Sequence, residues 1–190
     1  MAPPFAAPFT GFDFLLPCSQ PDRRLTIGGG FIPVVQPVFC CMPTFEARVA
    51  LATTAETLFD FIVHPANLLE IMPPSTPLEV IDGPKRLELG SELVVDLDGF
   101  GPTQRLAYEV TAFDEPSTFT ETMVTGPLGA WAHCRTLVPS DGMVELIEEI
   151  TFEPPGGLAG LMLTASRIQE SLKSSFAHRH RRLREILEAE

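Results

Sequence analysis

The sequence predicts an α+β domain in which a curved antiparallel sheet of about seven strands grips a long C-terminal helix. Three observations carry this. From Glu92 to Phe152 the chain reads as strand after strand, joined by turns too short for parallel crossovers. From Leu161 to Leu187 it reads as one long helix with an apolar stripe. Two short helical patterns separate a first strand, starting just after Met42, from the remaining strands. A curved sheet whose large partner is one helix tends to close around a space, which makes a hydrophobic small molecule the first functional suspect.

Each element has its own signal. Met42-Pro43-Thr44-Phe45-Glu46-Ala47-Arg48-Val49 opens the first strand. Thr53 followed by Glu56 is a capping-box pattern for a short helix carrying Leu58, Phe59, Ile62 and Val63 on its apolar face. Pro65 suits the first turn of a second helix through Leu68, Leu69 and Ile71, which Pro73 and Pro74 end. Strands follow at 78–81 and 92–97, and the 98–102 stretch turns the chain. A strand over 103–113 presents Leu106, Tyr108, Val110 and Ala112 on one side. Further strands span 118–124, 130–138 and 143–152, the last two joined by Pro139-Ser140-Asp141-Gly142. On the final helix Ile168, Leu172, Phe176, Leu183 and Leu187 share one stripe. This order of elements defines a helix-grip architecture.

Residues 1–41 are different in kind, with Pro, Phe, Gly and Ala recurring without helical or strand period. Prolines at 3, 4, 8 and 17 interrupt any secretory apolar core. The expected organisation is an irregular leader over 1–41, read as an extension upstream of a natural start at Met42, and a ligand-binding domain over 42–190. The 190-residue length suits one core. A net charge of -12 argues against nucleic acid as a partner, since phosphate binding needs clustered cations. The basic run from His178 to Arg182 is read as cations favoured near a helix C-terminus. Cys18, Cys40, Cys41 and Cys134 have neither disulfide-framework nor zinc spacing, so no metal and no cofactor is expected. Cysteine usage fits a reducing cytoplasm, and no apolar run reaches membrane-spanning length. Oligomeric state is not legible.

Candidate chemistry gathers on two neighbouring strands. Val144, Leu146, Glu148, Ile150 and Phe152 alternate on the inward side, making Glu148 a carboxylate on an otherwise apolar face. If Pro139 opposes Gly142, His133 falls opposite Glu148, Trp131 opposite Ile150, and Arg135 opposite Leu146. A buried Glu148 needs a partner, which His133 or Arg135 could supply. Three readings stay open: a structural ion pair, a polar anchor for a ligand, and acid/base catalysis by His133 with Glu148. Tyr108 and Trp131 are candidate cavity walls. His178 and His180 face different ways on the helix, and Cys134 points opposite to His133, so neither a shared metal nor a Cys-His pair is expected.

From Thr44 to Leu187 the chain resembles the START-like or SRPBCC superfamily, the polyketide cyclase/dehydrase and lipid-transport group, and within it a bacterial branch of small stand-alone domains. The resemblance rests on Phe59-Asp60-Phe61, Pro65-Ala66-Asn67-Leu68, Gly126-Pro127, Trp131-Ala132-His133-Cys134-Arg135 and Phe176-Ala177-His178-Arg179-His180. The chain departs from that branch at His178 and Phe152, where Tyr is usual. The resemblance implies a deep cavity between sheet and last helix, used across the superfamily for lipids, polyketides, hormones and ubiquinone. The expected ligand-binding residues are Tyr108, Trp131, His133, Arg135, Glu148, Phe152, Leu172 and Phe176. Non-enzymatic binding of a hydrophobic or amphipathic molecule is the leading expectation. The rivals are a cyclase, aromatase or dehydratase using His133 and Glu148, and an interaction or stress-related module with an incidental cavity.

Overall fold

The computed structural model describes residues 42–98 and 102–189, and the expectation for residues 1–41 lies outside them. The chain runs β1 (Thr44–Leu51), α1 (Ala55–Ile62), α2 (Pro65–Ile71), β2 (Leu78–Asp82), β3 (Glu92–Leu97), β4 (Gln104–Asp114), β5 (Thr118–Thr125), β6 (Ala130–Ser140), β7 (Met143–Glu153), α3 (Gly157–Met162) and α4 (Ala165–Leu187). The strands form one antiparallel sheet in the order β1-β7-β6-β5-β4-β3-β2. This is the α+β helix-grip arrangement.

The helix starts and stops follow local chemistry, with two corrections. The cap of α1 is Thr54 and not Thr53: its hydroxyl accepts from Thr57 N–H at 3.2 Å, so the reciprocal Glu56 box is not formed. The final helical segment is two helices and not one. Leu163 leaves helical geometry, and Thr164 restarts the chain by accepting from Arg167 N–H. Pro65 opens α2 as its first-turn proline, as the sequence implies.

The β6–β7 hairpin corrects the register. Ser140 pairs with Met143 and Pro139 with Val144, leaving Asp141 and Gly142 as a two-residue turn with φ of 43° and 80°. Arg135 is therefore opposite Glu148, His133 opposite Ile150 and Trp131 opposite Phe152. The slip relative to the expected pairing is two residues, so each side chain keeps its face. On β4 a bulge between Val110 and Ala112 changes the phase: Ala112 is exposed and Phe113 turns into the core instead.

Two apolar clusters result. The larger contains Leu51, Leu58, Phe59, Val63, Phe119, Leu137 and Leu146, with the Phe59 ring meeting Phe113 and Phe119 edge-on at 5.3 and 5.8 Å. The smaller joins Ile150, Phe152, Ile168 and Phe176. Between them lies a row of ionisable side chains.

Candidate functional site

The site is built by strand alternation on β5, β6 and β7 and by one turn of α4. Phe119 and Glu121 are successive inward residues of β5, Arg135 and His133 of β6, and Leu146, Glu148 and Ile150 of β7. From α4, Phe176, Arg179 and His180 project onto the same region. Glu121, His133, Arg135, Glu148, Arg179 and His180 are all buried.

Glu148 is the hub. Its Oε2 accepts from His133 Nε2–H at 3.0 Å and its Oε1 from His180 Nε2–H at 3.3 Å. A carboxylate only accepts, so with neutral rings both imidazoles carry the Nε2 proton and keep a lone pair on Nδ1. Burial works to raise the Glu148 carboxyl, but Arg179 and the two histidines outweigh it and hold it well below the carboxylate range. Arg135 donates to Glu121 on the neighbouring strand and stacks over Phe119 at 4.6 Å. Burial likewise pushes Glu121 up, while Arg135, His133 and Arg179 draw it below its usual value. His133 falls to about 4, because burial and the adjacent Arg135 disfavour a second positive charge more than Glu148 favours it. It is a neutral imidazole at neutral pH.

Arg179 stands apart. Its guanidinium lies over the Phe176 ring at 4.7 Å, and Nε is buried with no hydrogen-bond partner among the described residues. A buried donor left without an acceptor costs about 1–3 kcal/mol. Burial lowers its pKa, with Glu148 the main opposing influence.

Against this cluster opens a cavity of about 640 Å³. Its walls are mostly aliphatic and aromatic: Leu93, Val95, Leu106 and Met123 from the sheet, Leu68 and Met72 from the α2 end, and Ile168, Leu172 and Phe176 from α4. Tyr108, Trp131, His133, Arg135, Leu172 and Phe176 line it, as do Glu121 and Arg179. Glu148 and Phe152 do not. Glu148 is held behind His133, and Phe152 packs beside Trp131 at 6.2 Å between ring centroids, so both support the wall without forming it. That corrects the expectation that these two face the open space. Burial and the nearby Glu121 raise the Tyr108 phenol far above its ordinary pKa.

The sequence reading missed Glu121, Arg179 and His180 as part of the cluster. Signals existed for all three. Glu121 alternates with Phe119 and Met123, and Arg179 and His180 fill the gap that the stripe leaves between Phe176 and Leu183. The helix-end explanation of the basic run fails for them: Arg179 lies more than two turns before the end at Leu187, beyond the reach of the terminal carbonyls. Arg181 and Arg182 do reach an acidic neighbour on the helix, Glu185. Cys134 is on the opposite face of β6, near the Thr118 and Thr136 hydroxyls. Among the described residues no His, Cys, Asp and Glu group has a metal-holding arrangement. No described helix is long and apolar enough to cross a membrane.

The family described as "Domain of unknown function (DUF8410)" matches residues 63–187, more than half of the chain. The chain belongs to this family. Among solved structures it is similar to protein CV1439 from Chromobacterium violaceum, with 14% identity, a TM-score of 0.61, and coverage of 77% of this chain and 97% of that one. Protein Ms6760 from Mycobacterium smegmatis is similar at 17% identity and a TM-score of 0.60, over 78% of this chain and 92% of that one. Ginseng major latex-like protein 151 from Panax ginseng is similar at 12% identity and a TM-score of 0.60, over 77% and 98% respectively. At these identities the likeness is one of fold. No curated protein matches the chain.

Proposed function

We propose that the domain binds a hydrophobic or amphipathic small molecule in the cavity between the sheet and α4. The observation that carries this is the cavity: about 640 Å³ of space with largely apolar walls and a polar group of side chains along one side. Ligand sites typically enclose roughly 300–1,000 Å³ and combine apolar lining with a few placed polar groups. Tyr108, Trp131, His133, Arg135, Leu172 and Phe176 are the contact residues in this reading, with Glu148 and Phe152 orienting them from behind. The resemblance to the START-like superfamily, whose members use this space for lipids and related molecules, supports the same reading. Native mass spectrometry of protein purified from its host tests it directly. A co-purifying small molecule released on denaturation is the expected result, and a protein that stays at its bare mass and binds no apolar dye would refute it.

A cyclase or dehydratase reading has one observation in its favour, the His133–Glu148 hydrogen bond at 3.0 Å. It ranks second on chemistry. A histidine with its pKa near 4 is not in the imidazolium form at neutral pH, so it is a poor general acid, and it is a weak base. Its Nε2 is also committed to Glu148.

A further inference from the structure

We propose that the ligand is a monoanionic amphiphile, of carboxylate type, whose head group is received by the Arg179 guanidinium while its apolar part fills the cavity. This deepens the reading above and rests on it. In the cluster, the other charged or strongly polar groups have found partners: Glu121 with Arg135, and Glu148 with both His133 and His180. Arg179 has not. Among the described residues no acceptor hydrogen-bonds its guanidinium, its Nε is fully buried, and the side chain is one of the cavity walls. Attraction from Glu148 and Glu121 offsets its charge without supplying an acceptor. A permanent cation that stacks on Phe176, lines the cavity and has no hydrogen-bond acceptor among the described residues is matched by an anionic head group.

The surroundings narrow the class further. Tyr108 on β4 lines the same cavity and brings a phenol hydroxyl to an otherwise largely apolar wall. Arg135, the other buried guanidinium, is taken by Glu121. Arg179 already offsets the charge of Glu148 across space without a hydrogen bond to it, so a single further negative charge is the most the site accommodates and a dianion such as a phosphate monoester is repelled. An ammonium head would meet Arg179 directly and be disfavoured. A hydroxyl head would form a neutral hydrogen bond, weaker than a charge-assisted one.

Displacement of the neutral dye N-phenyl-1-naphthylamine by decanoate, decanol and decylamine tests this, because the three differ in head group and share one chain. The native protein should release the dye at about tenfold lower decanoate than decanol, with decylamine weakest. Arg179→Met should weaken decanoate by about tenfold and shift decanol by less than about threefold, while Arg179→Lys, which keeps the charge and loses the fork, falls between. Equal displacement by acid and alcohol in the native protein overturns the head-group inference and leaves the cavity reading standing. An acid preference that survives in Arg179→Met also overturns the assignment to Arg179. Failure of the dye and all three chains to bind the native protein overturns the cavity reading and this inference together. If Arg179→Met does not fold, the order of the three heads on the native protein and the Arg179→Lys response decide the matter.

Discussion

Two neighbouring parts of this interior are built in opposite ways. Under α1, Phe59, Phe113 and Phe119 meet Leu58, Val63, Leu137 and Leu146 in a plug without ionisable groups. One pleat further along the same strands, Glu121, His133, Arg135 and Glu148 occupy the inward positions, and the cavity begins there. The sheet is continuous through both. What changes is the partner: α1 closes on the plug with side chains that fill the space, whereas α4 brings Arg179 and His180 and leaves a gap. On the proposed reading stability is concentrated in the plug and specificity in the row of charges, and this division can be broken experimentally.

The largest effect belongs to the plug. Phe59 is fully buried and makes edge-on contacts with two other rings, so Phe59→Ala should lower unfolding free energy by about 3–5 kcal/mol in urea titration. A loss below about 1 kcal/mol would show that the plug is as loosely filled as the cavity side.

The charged row should reveal itself through pH. His133 is lowered from 6.5 to about 4 on folding, so between those values the unfolded chain binds a proton that the folded one refuses. Stability is therefore intact above about pH 6.5 and falls as pH drops toward 4, by about 3 kcal/mol for this one group. Glu121 and Glu148 are also lowered, and their contribution is present above the ordinary carboxylate value of 4.5 and lost as pH falls below it through their folded values. His133→Asn should flatten the slope between pH 6.5 and 4 and spare the steeper fall below. An unchanged slope in that variant would mean that His133 is protonated or solvated in the folded state.

Glu148→Gln comes next, with an expected loss of about 2 kcal/mol at pH 7. An amide has one carbonyl oxygen for the two imidazole donors that the carboxylate now satisfies, and the neighbouring Arg179 loses its main electrostatic counterweight. The same substitution should lower the His133 pKa further, because Glu148 is the group that holds it up against burial and Arg135. NMR titration of the His133 ring checks this separately from stability.

How much of this contrast could be read from the sequence differs between its halves. The apolar periodicity of α1, β7 and α4 places most of the plug correctly, since Leu58, Phe59, Leu146 and Leu183 recur at spacings that helices and strands impose. Phe113 escaped because a bulge in β4 shifts the phase after Val110, and nothing local at Thr111 announces it. In the cluster, Glu148 and His133 were legible as polar residues interrupting apolar alternation. Their contact was legible too and forms at 3.0 Å, but the strand register was not, because it depends on whether Asp141 and Gly142 alone form the turn, which needs positive φ at both. Arg179 was obscured by its own neighbours: within a run of five basic residues, the inward-facing pair is visible only after the helix phase has been carried through from Phe176 to Leu183.

The smallest effect is the one that tests the cavity against the plug most directly. Leu58 and Leu172 are the same residue type on two helices that pack on the same sheet, but Leu58 is fully enclosed by neighbours and Leu172 is half-buried with one side on the open space. Truncating Leu58 to Ala leaves a new void in a filled region and should cost about 2–5 kcal/mol. Leu172→Ala removes fewer contacts and merges the freed volume with space that is already open, so a loss of about 1 kcal/mol is expected. Its larger consequence should be in binding: among straight-chain alcohols displacing the neutral dye, the best-fitting chain should become longer in Leu172→Ala than in the native protein. Equal costs for the two truncations, with no change in preferred chain length, would mean that α4 settles onto the sheet in solution and that the space beside Leu172 is packed as tightly as the plug.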